Sequence, residues 1–204
     1  MKILVYGDSN TWGDNFFENK RIDDDKQWVN ILSKKFNNKH KFIQEGLPGR
    51  IAGDYEEKKF KNGLEQFMST FRTCAPVDKI IISLGTNDLQ IKYNKTYKEI
   101  FDVLMEYKNQ LKIMFEDSVD KVKYFNDIFP EFIFIMPINF DYKNEASIIL
   151  NEKSEEERLN LIKYFQKSNE KIIVLENATL FNDGIHLDYN GHEQMANIVY
   201  EALK

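Results

Sequence analysis

The sequence predicts an α/β fold: a three-layer α/β/α sandwich built around a five-stranded parallel sheet. Short apolar runs alternate with longer helical patterns along the whole 204-residue chain, without repeats or low-complexity segments. Within the runs, polar and apolar residues do not alternate, which is typical of parallel strands covered on both faces. The order of strand and helix predicts a parallel sheet with right-handed crossovers. Because the length is that of one ordinary domain, we expect residues 1–204 to form a single domain.

The predicted strands are five runs rich in Ile, Val, Leu and Phe. They span residues 2–6, 41–44, 79–83, 131–136 and 171–175. Helical patterns, in which apolar residues recur every three or four positions, follow these runs. They span residues 28–36, 60–71, 100–115 and 195–203, the last of them after Asn190-Gly191. A further helical segment opens with a capping-box sequence at residues 154–157. All βα loops should then meet at the carboxyl edge of the sheet, where ligands bind in such folds.

Composition and charge exclude several classes of protein. The chain has 33 acidic and 28 basic side chains, a net charge of −5, and no basic block, so we expect no nucleic-acid partner. Cys74 is the one cysteine, and no Cys/His cluster has zinc spacing, so we expect neither a disulfide nor a metal. The apolar runs are too short for a membrane span or a signal peptide, which predicts a cytoplasmic protein. The sequence leaves open whether the protein is a homo-oligomer.

Polar clusters that contain glycine follow four of the five predicted strands. They occupy residues 7–13, 45–50, 85–88 and 182–186. If the fold prediction holds, the four clusters meet at one edge of the sheet, where they would form a site.

The residue types in these clusters match acyl transfer. Ser9 becomes a nucleophile only when a base takes its proton, and His186 is a suitable base because imidazole titrates near neutral pH. Asp183, three residues before His186, is near enough to fix its tautomer and to stabilise the imidazolium. We interpret His40 as a residue of a solvated loop and His192 as a helix-surface residue.

A tetrahedral intermediate also needs hydrogen-bond donors for its oxyanion. The backbone N–H of Ser9, Gly49 and the side-chain amide of Asn87 are the candidates. Taken singly, each cluster also fits an ordinary turn, and Asn87 fits one that is stabilised by its own side chain. Chance would not, however, place all four clusters after strands. Apolar walls for the substrate are expected from three residues of the same clusters: Trp12, Leu47 and Pro48.

These clusters resemble the motif blocks of the SGNH hydrolases, also called GDSL esterases and lipases. Gly7-Asp8-Ser9-Asn10 resembles the block with the nucleophile, although Asn10 stands where leucine is common. Gly49 resembles the oxyanion glycine of the second block.

The third and fourth blocks resemble the family as well. Gly85-Thr86-Asn87-Asp88 resembles the third block, which carries the oxyanion asparagine. Asp183-Gly184-Ile185-His186 resembles the fourth block, which has the pattern Asp-x-x-His. The resemblance covers nearly the whole chain. It implies a flavodoxin-like sheet with the strand order 2-1-3-4-5 and no cofactor.

Residues 6–13 and 45–50 are most similar to the family branch of arylesterases and acyltransferases that act on short acyl esters. The second block departs from the family, because Glu45 and Ile51 stand near places where Asn and Thr are frequent. Residues 138–153 show no usable resemblance. They are interpreted either as a solvated connection with part of a helix or as a lid over the site.

The leading hypothesis is a serine esterase that hydrolyses or transfers short acyl groups from small esters through an acyl-enzyme. A carbohydrate O-deacetylase would use the same residues, and only substrate trials separate the two. A flavodoxin-like ligand-binding module shares the fold but needs a phosphate cradle after the first strand, where Asp8 and Asp14 would repel phosphate. A non-catalytic homologue is disfavoured because every position of the expected triad is filled.

Overall fold

The computed structural model describes residues 1–145 and 148–204, and it has the predicted α/β architecture. The strands are β1 (Lys2–Gly7), β2 (Asp14–Asn15), β3 (Lys20–Arg21), β4 (Lys41–Gly46), β5 (Lys79–Ser83), β6 (Glu131–Ile135) and β7 (Lys171–Ile173). The helices are α1 (Ser9–Trp12), α2 (Trp28–Lys35), α3 (Gly63–Cys74), α4 (Tyr97–Glu116), α5 (Ser118–Phe125), α6 (Glu152–Gln166) and α7 (Tyr189–Leu203). None of these helices is long and apolar enough to cross a membrane.

The main sheet has five parallel strands in the order β4-β1-β5-β6-β7. Counted along the chain among these five strands, this is the order 2-1-3-4-5, so the prediction is confirmed. Gly7 at the end of β1 lies opposite both Gly46 and Ser83. The polar clusters that follow β4, β1 and β5 therefore begin side by side at one edge.

The sheet separates two hydrophobic cores, and β1 contributes alternate side chains to each. Ile3 and Val5 pack with α2 and α7 on one face, while Leu4 and Tyr6 pack with α3, α4 and α6 on the other. All four side chains are completely buried. Burial on both faces is the physical reason that the run is continuously apolar.

Helix α3 begins later than predicted. Phe60 continues the helical spacing but lies in a short 3₁₀ turn and is 54% exposed. The reason is Asn62, whose side chain accepts the N–H of Glu56 at 2.9 Å and donates to its carbonyl at 3.1 Å. These bonds hold the preceding segment in an irregular loop.

Helices α6 and α7 both begin earlier than predicted. Asn151 is the N-cap of α6, and Ser154 forms the reciprocal half of the capping box at the third helical position. Asp188 caps α7, so that Asn190 and Gly191 lie inside its first turn. Two further features were not predicted: helix α5, and an antiparallel pairing of β2 with β3. We refer to residues 14–21 as the hairpin.

Residues 138–153 are packed at both ends. Ile138, Phe140 and Leu150 are buried, and the N–H of Asp141 donates to the carbonyl of Gly184 at 2.8 Å. From residue 148 to residue 153, however, every side chain except Leu150 is exposed, and the last two residues already belong to α6. The described parts thus fit a solvent-exposed connection that is anchored by a few buried side chains and ends in a helix, and the lid stays a prediction. Residues 146 and 147, which belong to the proposed lid, lie outside the described residues.

Candidate active site

Ser9 stands at the start of α1, immediately beyond the carboxyl end of β1. Asp8 caps this single helical turn, accepting the N–H of Asn10 at 3.0 Å. A Cβ on Gly7 would lie 2.1 Å from the hydroxyl of Thr11. Only glycine lets the turn fold back so closely on its strand, and this fixes Ser9 at the edge of the sheet.

The structure brings Ser9, His186 and Asp183 into one hydrogen-bonded chain. The Oγ atom of Ser9 lies 3.0 Å from Nε2 of His186, and Nδ1 of His186 is bonded to a carboxylate oxygen of Asp183. The other oxygen of Asp183 accepts the backbone N–H groups of Ile185 and His186, both at 3.0 Å. Because Nδ1 faces a carboxylate, it holds the proton of the neutral ring, and Nε2 is left to accept the serine hydroxyl.

The charges around the imidazole favour its protonated form. Burial alone would lower the pKa of His186, but the hydrogen bond and charge of Asp183, helped by Asp14 and Asp8, raise it above 6.5. Burial opposes ionisation of Asp183 too, yet its bonds to His186 and to the N–H of Ile185 hold the pKa of the carboxyl below its usual value. Both shifts favour a carboxylate on Asp183 beside the imidazole.

The other two histidines are placed away from this chain. His192 is buried, and its Nδ1 accepts the N–H of Trp28 at 3.2 Å, so the prediction of a helix-surface residue was wrong. Burial lowers its pKa to about 4, which keeps the ring neutral. His40 lies beside the N-terminus of Met1, at the opposite edge of the sheet from Ser9.

The predicted oxyanion donors converge around the end of β1. The N–H of Leu47 donates to the carbonyl of Gly7 at 3.1 Å, which places the segment with Gly49 beside the serine turn. From the other side, after β5, the side-chain amide of Asn87 donates to the carbonyl of Arg50 at 3.1 Å. Asn87 thus reaches across the end of β1, and its role as an oxyanion donor stays a prediction.

Two buried charged residues that the sequence did not single out brace this arrangement. The guanidinium of Arg50 donates to the carbonyl of Gly7 at 2.9 Å and lies 4.0 Å from the ring centre of Tyr6. The carboxylate of Asp88 accepts the N–H of Ala52 through both oxygens, at 3.0 and 2.9 Å. Asn87 and Asp88 therefore fasten the turn after β5 to the loop after β4.

The three predicted wall residues, Trp12, Leu47 and Pro48, are all half-buried near the serine turn. Arg21 lies over the ring of Trp12, with its guanidinium 5.6 Å from the ring centre, and it donates to the Trp12 carbonyl at 2.6 Å. One face of the indole is thus occupied within the protein. The contact of these three residues with substrate remains a prediction.

The hairpin brings two further residues to His186. The carboxylate of Asp14 lies 3.9 Å from Nε2 of His186, and burial raises the pKa of the Asp14 carboxyl. The ring of Phe16 stacks over the imidazole with ring centres 6.4 Å apart, and it is 55% exposed. Phe17 packs edge to face on Phe16 and is 57% exposed. Phe16 and Phe17 were not among the predicted site residues. The one sequence signal for them was that two adjacent phenylalanines, outside any helical pattern, follow a few residues after the serine motif.

A cavity of about 360 Å³ opens next to this aromatic pair. Phe17 lines one side, and residues 180–182 and 188–190, which include Phe181, Tyr189 and two asparagines, line the other. The backbone N–H of Phe181 donates to the carbonyl of His186 at 2.8 Å, so the cavity wall is joined to the histidine. Within residues 1–145 and 148–204, no three His, Cys, Asp or Glu side chains are grouped to hold a metal ion.

Comparisons with solved structures support the fold. A carbohydrate acetylesterase from Sinorhizobium meliloti is 20% identical with a TM-score of 0.78, and the match covers 99% of this chain and 97% of that one. An aryl esterase from M. smegmatis is 21% identical with a TM-score of 0.77 and the same coverage. A lipolytic protein of the G-D-S-L family from Veillonella parvula is 18% identical with a TM-score of 0.65, covering 98% and 96%.

A search of curated proteins returned no significant match. The family model described as GDSL-like lipase/acylhydrolase matches residues 3–199, nearly the whole chain. This match includes all four polar clusters that the fold brings to one edge of the sheet. The chain therefore belongs to the GDSL-like lipase/acylhydrolase family, the SGNH hydrolases, and is an ester hydrolase of that type.

Proposed function

We propose that the protein is a serine esterase that removes short acyl groups from small esters through a covalent acyl-enzyme. The observation that carries this proposal is the hydrogen-bonded chain from Ser9 through His186 to Asp183. A serine hydroxyl is a weak nucleophile, and a base at 3.0 Å that is itself oriented by a buried carboxylate is the arrangement that activates it.

In the first half of the reaction, Oγ of Ser9 attacks the ester carbonyl while its proton passes to Nε2 of His186. The imidazolium that forms is stabilised by Asp183. It then gives the proton to the departing alcohol oxygen as the ester C–O bond breaks, which leaves the acyl group on Ser9. In the second half, Nε2 takes a proton from water or from another alcohol, whose oxygen attacks the acyl-enzyme. The imidazolium then returns this proton to Oγ of Ser9 as the bond between Oγ and the acyl carbon breaks, which releases the acid or a new ester.

The negative charge that develops on the carbonyl oxygen needs donors that are already in position. We assign this role to the N–H groups of Ser9 and Gly49 and to the amide of Asn87. The amide is oriented by two bonds, to the carbonyl of Arg50 and from the side chain of Gln90 at 2.8 Å. Such preorganised donors reduce the barrier because they do not reorient as the charge forms.

The alcohol part of the substrate must lie on the His186 side of Ser9, because Nε2 protonates the departing oxygen. Phe16, Phe17 and the neighbouring cavity are on this side. Exposed ring faces beside asparagine amides suit a sugar, whose C–H faces stack on aromatic rings and whose hydroxyls both donate and accept hydrogen bonds. This favours a second candidate function, carbohydrate O-deacetylation with the same catalytic residues. One of the similar structures is a carbohydrate acetylesterase.

A panel of p-nitrophenyl esters of increasing chain length, together with acetylated mono- and disaccharides, tests both candidates. We expect the highest kcat/KM for the shortest acyl groups and complete loss of hydrolysis in Ser9→Ala. Ser69→Ala, an exposed serine on α3, is the matched control and should keep full activity. A serine-reactive phosphonate should label Ser9 alone. Labelling of another residue while Ser9 stays free contradicts the proposed mechanism, and acetyl release from sugars much faster than from aryl esters selects the second candidate.

A further inference from the structure

The side chain of Asn10 links the turn that carries Ser9 to the loop that carries His186. Its Oδ1 accepts the N–H of Leu187 at 2.8 Å, and its Nδ2 donates to the carbonyl of Ile185 at 3.4 Å. If the amide were turned around, its NH₂ group would face the N–H of Leu187 and its oxygen would face the carbonyl of Ile185. The positions of Oδ1 and Nδ2 are therefore fixed by their bonding partners. One buried amide thus bonds the peptide groups on both sides of His186.

The remaining backbone groups of His186 are also bonded. Its N–H donates to Asp183 at 3.0 Å, and its carbonyl accepts the N–H of Phe181 at 2.8 Å. These bonds stay within the loop, whereas those of Asn10 come from the helical turn in which Ser9 is its direct neighbour. The separation of Ser9 from His186 is therefore set by a short ring of covalent and hydrogen bonds.

We propose that Asn10 is a positioning residue that holds His186 at hydrogen-bonding distance from Ser9. This inference rests on the proposed serine esterase function. Leucine, which is common at this place in the family that the sequence resembles, fills similar space but has no polar atom for either peptide group. In this chain the alignment of base and nucleophile depends on an amide that leucine does not supply.

The chain contains a matched control that bonds to the same loop from another segment. Asn139, which follows β6, accepts the N–H of Ala178 at 2.7 Å and donates to its carbonyl at 3.1 Å. It forms the same two kinds of bond as Asn10, but to a residue well before His186 in the loop. Loss of either asparagine should weaken the loop, and only loss of Asn10 should release the peptide groups that flank His186.

The test compares Asn10→Leu with Asn139→Leu in the full chain, using p-nitrophenyl acetate. A displacement of reacting groups by about 1 Å costs on the order of 10²-fold in rate, so we expect kcat of Asn10→Leu to fall by about 10- to 100-fold, with KM changed less than about threefold. Asn139→Leu should lose a similar amount of thermal stability but keep kcat within about threefold of the wild type. Asn10→Asp keeps the 2.8 Å acceptor for Leu187 and should show an intermediate kcat.

Hydrogen exchange of the Leu187 amide gives a readout that does not depend on activity. It should become faster in Asn10→Leu and stay slow in Asn139→Leu. Should Asn10→Leu not fold, Asn10→Ser removes both bonds without adding bulk. A wild-type kcat in Asn10→Leu, or equal losses of kcat in both leucine variants, overturns the inference. A wild-type protein that hydrolyses none of the esters overturns the proposed function instead.

Discussion

The two sides of the candidate site differ in how firmly the fold holds them. On the strand-end side, the loop after β4 and the turn after β5 are fastened by buried groups, with Arg50 bonded to Gly7 and Asp88 bonded to Ala52. On the hairpin side, Phe16 and Phe17 expose more than half of their surface. The first side carries the predicted oxyanion donors, and the second lies beside His186, where the proposed mechanism places the alcohol.

This difference matches two physical requirements. Donors that stabilise developing charge must be fixed before the reaction, because their reorientation would add to the barrier. Side chains that recognise a substrate must instead be open to it. We therefore expect changes on the strand-end side to lower kcat for every ester, and changes on the hairpin side to alter the preference between esters.

Among changes that distinguish the two sides, the largest effect is expected from Asn87→Asp. This substitution keeps the shape of the side chain but replaces an N–H donor by a carboxylate, which repels the oxyanion. Turnover of p-nitrophenyl acetate should fall by roughly 10²-fold or more, mainly in kcat. Asn94→Asp, at an exposed turn with a positive φ of 48°, is the control and should leave kcat unchanged. A near-normal kcat for Asn87→Asp would reduce Asn87 to a turn residue and leave the oxyanion to the N–H groups of Ser9 and Gly49.

A smaller and substrate-dependent effect is expected from Phe17→Ala. Loss of a ring that lines the cavity should lower kcat/KM for an acetylated disaccharide by about 5- to 10-fold, the order expected for one stacking contact. Hydrolysis of p-nitrophenyl acetate should not change. Phe60→Ala removes an equally exposed ring that does not line this cavity, and it serves as the control. Equal losses for both esters would mean that the hairpin supports the catalytic groups and does not select the alcohol.

The pH dependence tests Asp14. His186 must be neutral to accept a proton, and its raised pKa implies that kcat/KM rises with pH through a midpoint above 6.5. Asp14→Asn removes a negative charge 3.9 Å from Nε2, so the imidazolium is less stabilised and the midpoint moves to lower pH. Glu18→Gln, on the same hairpin, changes the net charge equally and should leave the midpoint in place. An unmoved midpoint in Asp14→Asn would show that this charge is screened from the imidazole.

The smallest effect concerns the acceptor of the acyl group. Trp12, Leu47 and Pro48 are half-buried beside the serine turn, so an acyl-enzyme there would be partly shielded from water. Addition of a short alcohol to an aryl ester should then give a measurable fraction of the new ester, quantified by chromatography. A product that stays purely acid at high alcohol concentration would remove the reason to prefer the acyltransferase-like branch.

The sequence predicted the sheet and the meeting of the four polar clusters, because each rests on a local signal. Strands that are buried on both faces must be apolar throughout, and parallel strands must end at a common edge. Phe60 was misassigned because spacing alone does not reveal the bonds of Asn62 that delay α3. Asn190-Gly191 was taken as a boundary because the cap of Asp188 was not recognised.

The rest of the site depends on contacts between segments distant in the chain. Nothing near Asn10 in the sequence indicates that its amide will meet peptide groups about 175 residues later. The hairpin has strands of only two residues, too short for a periodic pattern, so the approach of Asp14 and Phe16 to His186 had no local signature. The bracing by Arg50 and Asp88 likewise appears only when the neighbouring strand ends are set side by side.

The hairpin begins and ends at almost the same point of the molecule. Gly13 adopts a left-handed conformation with a φ of 87°, and its carbonyl accepts the N–H of Ile22 at 2.8 Å. The eight residues between them form a loop whose two ends are hydrogen-bonded to each other. A hairpin of another length could therefore replace residues 14–21 without changing the positions of the chain segments before Gly13 and after Ile22. Transplantation of another hairpin between Gly13 and Ile22 would test this directly.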